Sequence, residues 1–371
     1  MVLPLSMPAL FAPMKEFRSI LARLGRPAAT PAALATLARV QGSSYRRPGA
    51  RLLLAADGTR TGSISGGCLE DDVLLRARAV AAVGAAQSVT YDTTAENDLV
   101  WGVGLGCHGV ADLVIERLSE ASAGWVECVR GAFVRRADAA LAIVFQAESP
   151  AALGTRAALT ADGFFWGDRA LRAGLQEAVA RRASHHAEAS GVMVLFEYVA
   201  RPIPLLIFGA GDDARPLCRV AAELGLAVSV LDPRPAYATK ERFPEAEEVL
   251  VAVPGKLPAG VQPDGRTAVV VMTHHYVHDV PLLRALLPTP LAYLGLLGPR
   301  LRAEKILADL AAEGMAITPG MRARMRAPVG LDLGAETPEA VALAILAEIQ
   351  AVLTGREARP LCERSGPIHA G

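Results

Sequence analysis

The chain has 371 residues, enough for two or three domains, and 52% of them are hydrophobic, which allows substantial cores. Lysine plus arginine and aspartate plus glutamate both number 38, so there is no basic footprint for nucleic acid, and no apolar run reaches membrane-spanning length. Five cysteines, an odd number at irregular spacing, point to a reducing, cytoplasmic setting.

The opening MVLPLSMPALFAPMKEF is apolar, but it lacks a basic leader and is broken by Pro4, Pro8 and Pro13. It reads poorly as a signal peptide and leaves Met14 as a candidate start. Residues 14–120 read as an α+β unit. PAALATLARVQG and ARLLLAADGTRTGSI give strands, the latter turned at Asp57-Gly58, and QSVTYDTT and ADLVIERL give two more. Two glycine-bound cysteines belong to this unit, Cys68 in SISGGCLED and Cys107 in GLGCHG. Glycines crowd a cysteine where backbone must pass close to something or take positive φ, so both thiols belong to tight loops suited to a ligand. After Cys68 the run LEDDVLLRARAVAAV reads as a helix, which puts Ser65, Gly66, Gly67 and Cys68 near its N-terminus, where amide donors and the dipole favour anions and a thiolate.

Arg46 and Arg47 follow the serines of GSS and add cations and hydroxyls for a phosphate or oxo ligand. No second cysteine lies within four residues of Cys68 or Cys107, which excludes a zinc ribbon and a C-x-x-C redox motif. His108 either acts on the neighbouring Cys107 thiol or is a surface histidine. Cys128, Cys218 and Cys362 read as small buried hydrophobes.

Residues 121–200 have a weaker pattern: a helix at 121–131, the strand AALAIVFQ, a second hairpin at Asp162-Gly163 and FFWG suggest a small mixed subdomain or linker lobe. His185 and His186 are expected there in solvent. From Pro204 the signal is strong. PLLIF is a buried strand, Gly209 to Ala214 form G-x-G-x-x-A, a helix runs to about Gly225, and AVSVLD closes on Asp232, the full dinucleotide-binding context. Strands at 248–253, 268–273 and 291–297 alternate with helical stretches, giving a Rossmann-like, doubly wound parallel sheet over 203–357. Its carboxyl-edge crevice collects Gly209, Gly211, Asp232, Arg234, Thr273, His274 and the Gly298-Pro299-Arg300 turn. Asp232 would accept from a ribose hydroxyl and Arg234 would meet a phosphate; NAD(P), another nucleotide and a pterin phosphate all stay open. His274 and His278 at i and i+4 invite a metal, but the segment leaves a strand and is read as a loop, with His278 and Asp279 opening the next helix. Thr337, Pro338 and Gly355 bracket a last, strongly apolar helix that covers the sheet or a subunit interface.

Neither G-x-S-x-G nor a Walker A motif occurs, and Tyr237 and Lys240 are one residue too close for the tyrosine–lysine pair of short-chain dehydrogenases. An NAD(P)-dependent oxidoreductase and a thiol-based redox sensor are the competing function classes.

Taken together, GSSYRRPGARLLLAADGTRTGSISGGCLED, GLGCHG, IFGAGDDARPLCRVAAELG, VLDPRPAYATKERFP, VMTHHYVHD, YLGLLGPRLRAEKILADL and APVGLDLGAETPEAVALAILAEI resemble the XdhC/CoxI family, over roughly 30–118 and 203–357. The resemblance implies an accessory factor for molybdenum hydroxylases of the xanthine dehydrogenase type. Such a factor is a homodimer that binds molybdenum cofactor (molybdopterin), shelters it while a cysteine desulfurase exchanges an oxo ligand for sulfur, and delivers it. It is a carrier rather than a catalyst. Carried over by position, the ligand loops would contain Arg46, Ser65, Gly66, Gly67, Cys68 and Cys107, with the two cysteines facing molybdenum across one cleft. Tyr45, His108 and His275 depart from the residues common in the family, proline, glycine and asparagine.

Overall fold

The computed structural model describes residues 14–24, 32–42, 44–93, 109–119, 124–189, 191–258, 260–363 and 365. Cys107 and His108 lie outside them, so the expected meeting of the two thiols does too. Two compact units divide the chain, one spanning Glu16–Arg201 and the other made of the segment through Lys15 together with Pro202–Gly371.

In the first unit, α1 (Met14–Leu24) is followed by β1 (Ala32–Gly42), β2 (Arg51–Leu54), β3 (Arg60–Gly62), α2 (Glu70–Val83), β4 (Gln87–Asp92) and β5 (Gly109–Leu118). Next come α3 (Gly124–Val134), β6 (Ala139–Ala147), β7 (Arg156–Thr160), β8 (Phe165–Gly167), α4 (Arg172–Arg181), β9 (His185–Ala189) and β10 (Val192–Val199). The strands make two antiparallel sheets, ordered β3-β2-β1-β5-β4 and β8-β7-β6-β10-β9. Both Asp-Gly pairs turn hairpins, with Gly58 at φ +78° and Gly163 at φ +97°.

Side chains on a strand alternate between its faces, and here both faces are covered. From β1, Ala33, Ala35 and Leu37 pack beneath Val73, Ala77 and Val80 of α2. Leu34 and Ala38 point the other way, toward Leu141, Ile143, Phe145 and Leu195 of the second sheet. That sheet repeats the arrangement, setting Ala140, Ala142 and Val144 against Leu175 and Ala178 of α4. The result is a four-layer helix–sheet–sheet–helix stack.

Charged pairs are buried between the sheets. Arg156 of β7 meets Glu116 of β5 and donates to Thr36 Oγ1 at 3.1 Å. Arg51 of β2 meets Glu197 of β10, and Arg39 of β1 reaches Asp112 at 2.7 Å and Gln146 of β6 at 3.4 Å. His185 is half-buried rather than solvated, whereas His186 is exposed as expected, because β9 pairs along β10 and sends neighbouring residues to opposite faces. His185 stacks on Phe196 at 5.0 Å, while His186 Nε2 lies 2.8 Å from the Ala38 carbonyl.

The second unit runs β11 (Pro204–Phe208), α5 (Ala214–Glu223), β12 (Ala227–Asp232), β13 (Glu248–Val251), β14 (Ala268–Val271), α6 (Tyr276–Leu286) and β15 (Tyr293–Leu296). It ends with α7 (Arg300–Ala312), α8 (Pro319–Arg324), β16 (Met325–Arg326) and α9 (Pro338–Thr354). All six strands are parallel, in the order β13-β12-β11-β14-β15-β16. This is the Rossmann order expected from the alternation of strands and helices. Alternate residues again serve opposite layers: Leu205 and Ile207 face α5 and α9, and Leu206 and Phe208 face α6 and α7. Uninterrupted apolar strands are what such double coverage requires.

Cys128 and Cys218 are buried, as expected, and burial pushes their thiols up to about 11 and about 12. Cys362 is exposed instead. It falls in a short 3-10 turn, Leu361–Glu363, that contains no buried residue. On α9 the Thr337 hydroxyl accepts from Ala340 N at 3.3 Å, and Gly355 ends the helix at φ +65°. Thr337→Ala is expected to cost about 1 kcal/mol, seen as a lower urea midpoint for this unit.

Candidate functional site

The Cys68 loop is braced from beneath by an acid that sequence reading counted only as part of a helix start. The Glu70 carboxylate accepts from Ser63 Oγ at 2.8 Å, Ile64 N at 3.2 Å, Ser65 N at 2.8 Å and, closest of all, Ser65 Oγ. Ser65 Oγ in turn accepts from Gly67 N at 3.2 Å and Leu69 N at 3.1 Å. The serine thus accepts from the N–H of Leu69 itself, the N-cap residue, whose own side chain caps nothing. Glu70 is 6% exposed. Burial pushes its carboxyl up, but the Ser65 hydroxyl and amide and the Ser63 hydroxyl pull it further down, to about 2. The signal for this role was present in sequence, as an acid in the first turn directly after a serine–glycine loop.

Because the inner donors are consumed, Gly66, Gly67 and Cys68 form an exposed tip. Gly67 has φ +116° and no atom within 4 Å of where a Cβ would stand, so conformation rather than space calls for glycine. No hydrogen bond to the amides of Gly66 and Cys68 is made among the described residues. Tyr45 lies against this tip, its ring 3.7 Å from a Cβ placed at Gly66, and is 70% exposed. Arg46 stands 5.8 Å from the centre of that ring and donates to Glu16 Oε1 at 2.8 Å. The structure therefore joins the Tyr45-Arg46 segment to the cysteine loop, with Arg46 already in an ion pair and the Ser65 hydroxyl turned inward.

The crevice of the parallel sheet opens where β11 and β14, neighbours in the sheet, send their chains to opposite sides. Gly209 has φ +115°, and a Cβ there would meet the Met272 carbonyl oxygen at 2.5 Å, so only glycine permits this passage. Asp232 is 2% exposed. Its carboxylate accepts from Ala210 N at 2.7 Å and from Arg234 N, Nε and Nη2 at 2.8, 2.9 and 2.9 Å. Burial raises its pKa, but the Arg234 side chain and these amides lower it further, leaving it below the usual carboxylate range. The Arg234 guanidinium also lies over the Tyr237 ring, 3.8 Å from its centre. Lys240 donates to the Ala246 carbonyl, so tyrosine and lysine are each engaged elsewhere and make no proton-transfer dyad.

His274 takes φ +57°, uncommon for a residue other than glycine, and its Nε2 lies 2.8 Å from Asp213 Oδ2. His278 stacks on His275 at 4.8 Å. The two histidines spaced for a metal thus have different partners, and the described residues contain no cluster of three metal-binding side chains. The helix opens at Tyr276, earlier than expected, with His275 as N-cap. Asp279 in its first turn caps nothing: it accepts from Thr273 Oγ1 and pairs with Arg302. No helix among the described residues is long and apolar enough to cross a membrane.

Known proteins resemble this chain in sequence and in fold. Models of the XdhC Rossmann domain and of the XdhC and CoxI family match residues 205–349 and 26–92. The chain is 35% identical over 320 residues to a probable xanthine dehydrogenase subunit from Bacillus subtilis (strain 168), covering 86% of this chain and 92% of that protein. It is 25% identical over 331 residues to the molybdenum cofactor insertion chaperone PaoD of Escherichia coli (strain K12), covering 88% and 85%. A crystal structure described as a xanthine dehydrogenase from Bacillus halodurans superposes with a TM-score of 0.75 at 28% identity, covering 93% of this chain and 98% of that one. With both halves matched in order and a relative aligned along nearly its whole length, this chain belongs to the XdhC and CoxI family.

Proposed function

We propose that this chain is a maturation factor for a molybdenum hydroxylase of the xanthine dehydrogenase type, and that its cargo is molybdenum cofactor. It holds the cofactor while a cysteine desulfurase supplies the terminal sulfur and then passes it to the apo-hydroxylase, acting as a cytoplasmic homodimer. The observation that carries this reading is the Gly66-Gly67-Cys68 tip, held outward by Glu70, in a chain related to a protein named as a cofactor insertion chaperone. The tip offers a thiol and two open amides to an anionic, metal-bearing ligand, with the exposed face of Tyr45 alongside for a flat ring system. Cys107 is assigned to the same ligand set by its family position.

The test is to purify the protein from cells making molybdopterin and to measure molybdenum and pterin fluorescence. Cys68→Ala and Cys107→Ala should leave circular dichroism unchanged and reduce cofactor affinity by about tenfold or more, the worth of one lost charge-assisted contact. Unchanged pterin content in both variants would remove the cysteines from the ligand set. In a strain lacking the protein, the partner hydroxylase should be made and folded yet inactive, without cyanide-releasable sulfur. Full activity with normal sulfur would overturn the maturation role.

A further inference from the structure

The parallel sheet has the strand order and the glycine turn of a dinucleotide fold, yet the places where its ribose and diphosphate would rest are occupied by the chain's own side chains. The ribose position comes first. An ionised carboxylate has about four lone-pair sites for donors, and Asp232 already receives four hydrogen bonds, three of them from Arg234. A ribose hydroxyl reaches it only after Arg234 leaves both the carboxylate and the Tyr237 ring.

The diphosphate position is the glycine turn at the start of α5, where backbone amides favour an anion. Here a carboxylate is already present. Asp213 Oδ1 lies 2.7 Å from where a Cβ on Gly211 would stand, so the acid folds back over the turn. His274 Nε2 holds its other oxygen at 2.8 Å, from a backbone conformation that side chains rarely adopt. Arg242 closes the same turn, donating to Asp212 at 2.9 Å and to the Ala210 carbonyl at 3.3 Å. The base position is the hollow beside Phe208, Pro233, Val253 and Lys256, whose volume is about 20 Å3. One water needs roughly 10–15 Å3, so the hollow encloses room for a water or two and offers a base no enclosed slot.

We propose that this crevice excludes NAD(P), and that Arg234 and the Asp213–His274 pair are the residues that determine the exclusion, standing in for the ligand's ribose and diphosphate. Asp213 supplies the negative charge that a diphosphate would bring, and Arg234 the donors that a ribose would bring. The Rossmann unit then serves as scaffold or partner surface, and hydride transfer has no nicotinamide to use. The inference does not depend on cofactor carriage, and its test does not read pterin content.

The test is calorimetric titration of the full-length protein with NAD+, NADH and NADP+. The wild-type chain should show no saturable binding tighter than about 1 mM. Arg234→Ala combined with Asp213→Ala vacates both positions and should tighten NAD+ binding by at least about tenfold. Asp213→Asn, which keeps shape and removes charge, should tighten it in the same direction by less. Saturable wild-type binding of any of the three tighter than about 1 mM would overturn the proposal without any variant. So would variants with unchanged circular dichroism and no gain in affinity.

Discussion

Glu70→Ala is expected to destabilise the amino-terminal unit by about 3 kcal/mol, because it strands several inner donors at once. The amides of Ile64 and Ser65 and the Ser65 hydroxyl lose their acceptor, while the Ser63 hydroxyl keeps the Ser65 carbonyl at 2.6 Å, and the Gly66-Gly67-Cys68 tip loses its support. Urea denaturation at neutral pH reads the loss. The rate at which Cys68 reacts with a small thiol reagent should change as well, since the loop no longer has one shape. The pH dependence has a definite sign. The folded carboxyl titrates at about 2 and the free one near 4.5, so its stabilisation is complete above the free value and is lost as pH falls through the folded one. The gap between wild type and Glu70→Ala should therefore narrow between about pH 4.5 and pH 2. A constant gap across that window would mean that the acid does not brace the loop.

The second large effect is expected at Asp279. This residue is 1% exposed, accepts from Thr273 Oγ1 at the end of the β14 segment, and pairs with Arg302 in the first turn of α7. Asp279→Ala leaves the Arg302 cation with its Nε already lacking a partner, and should cost about 3 to 5 kcal/mol. Replacing both partners by apolar residues, as in Asp279→Leu with Arg302→Met, should recover much of that loss. The cycle is read by urea denaturation of the four proteins. If the double variant is no better than Asp279→Ala, the pair matters for shape rather than for charge compensation.

Much of the second unit was legible because its signals are local. The strand, glycine turn, helix and acid from Pro204 to Asp232 lie in one stretch, and the caps of α9 are set by Thr337 and Gly355. The occupancy of Asp232 was less accessible. Sequence places Arg234 two residues away, but not whether its guanidinium turns back to the acid or outward to a ligand. Residues 121–200 were vague for a different reason. AALAIVFQ is apolar on both faces of its strand, so the period of two that marks a half-exposed strand is missing. The charged pairs between the sheets join residues far apart in sequence, Arg51 to Glu197 and Glu116 to Arg156, and no spacing rule reaches that far. For the candidate site, the cysteine loop and its place before a helix were readable. Glu70 was visible as an acid but not as the centre of the loop.

Those long-range pairs also bear on how the first unit finds its native form. The facing surfaces are mostly apolar, with Leu34, Ala38 and Val114 on one sheet and Leu141, Ile143, Phe145 and Leu195 on the other, and hydrophobic burial is by itself non-directional. A slip of one position parts Arg156 and Arg51 from Glu116 and Glu197 and leaves buried charges unpaired, a penalty of several kcal/mol for each pair. The ion pairs therefore act as locating pins: they add little to the depth of the correct alignment and raise its neighbours steeply. The position of the cysteine loop rests on that alignment, since α2, which begins just after it, packs on the sheet whose opposite face is pinned.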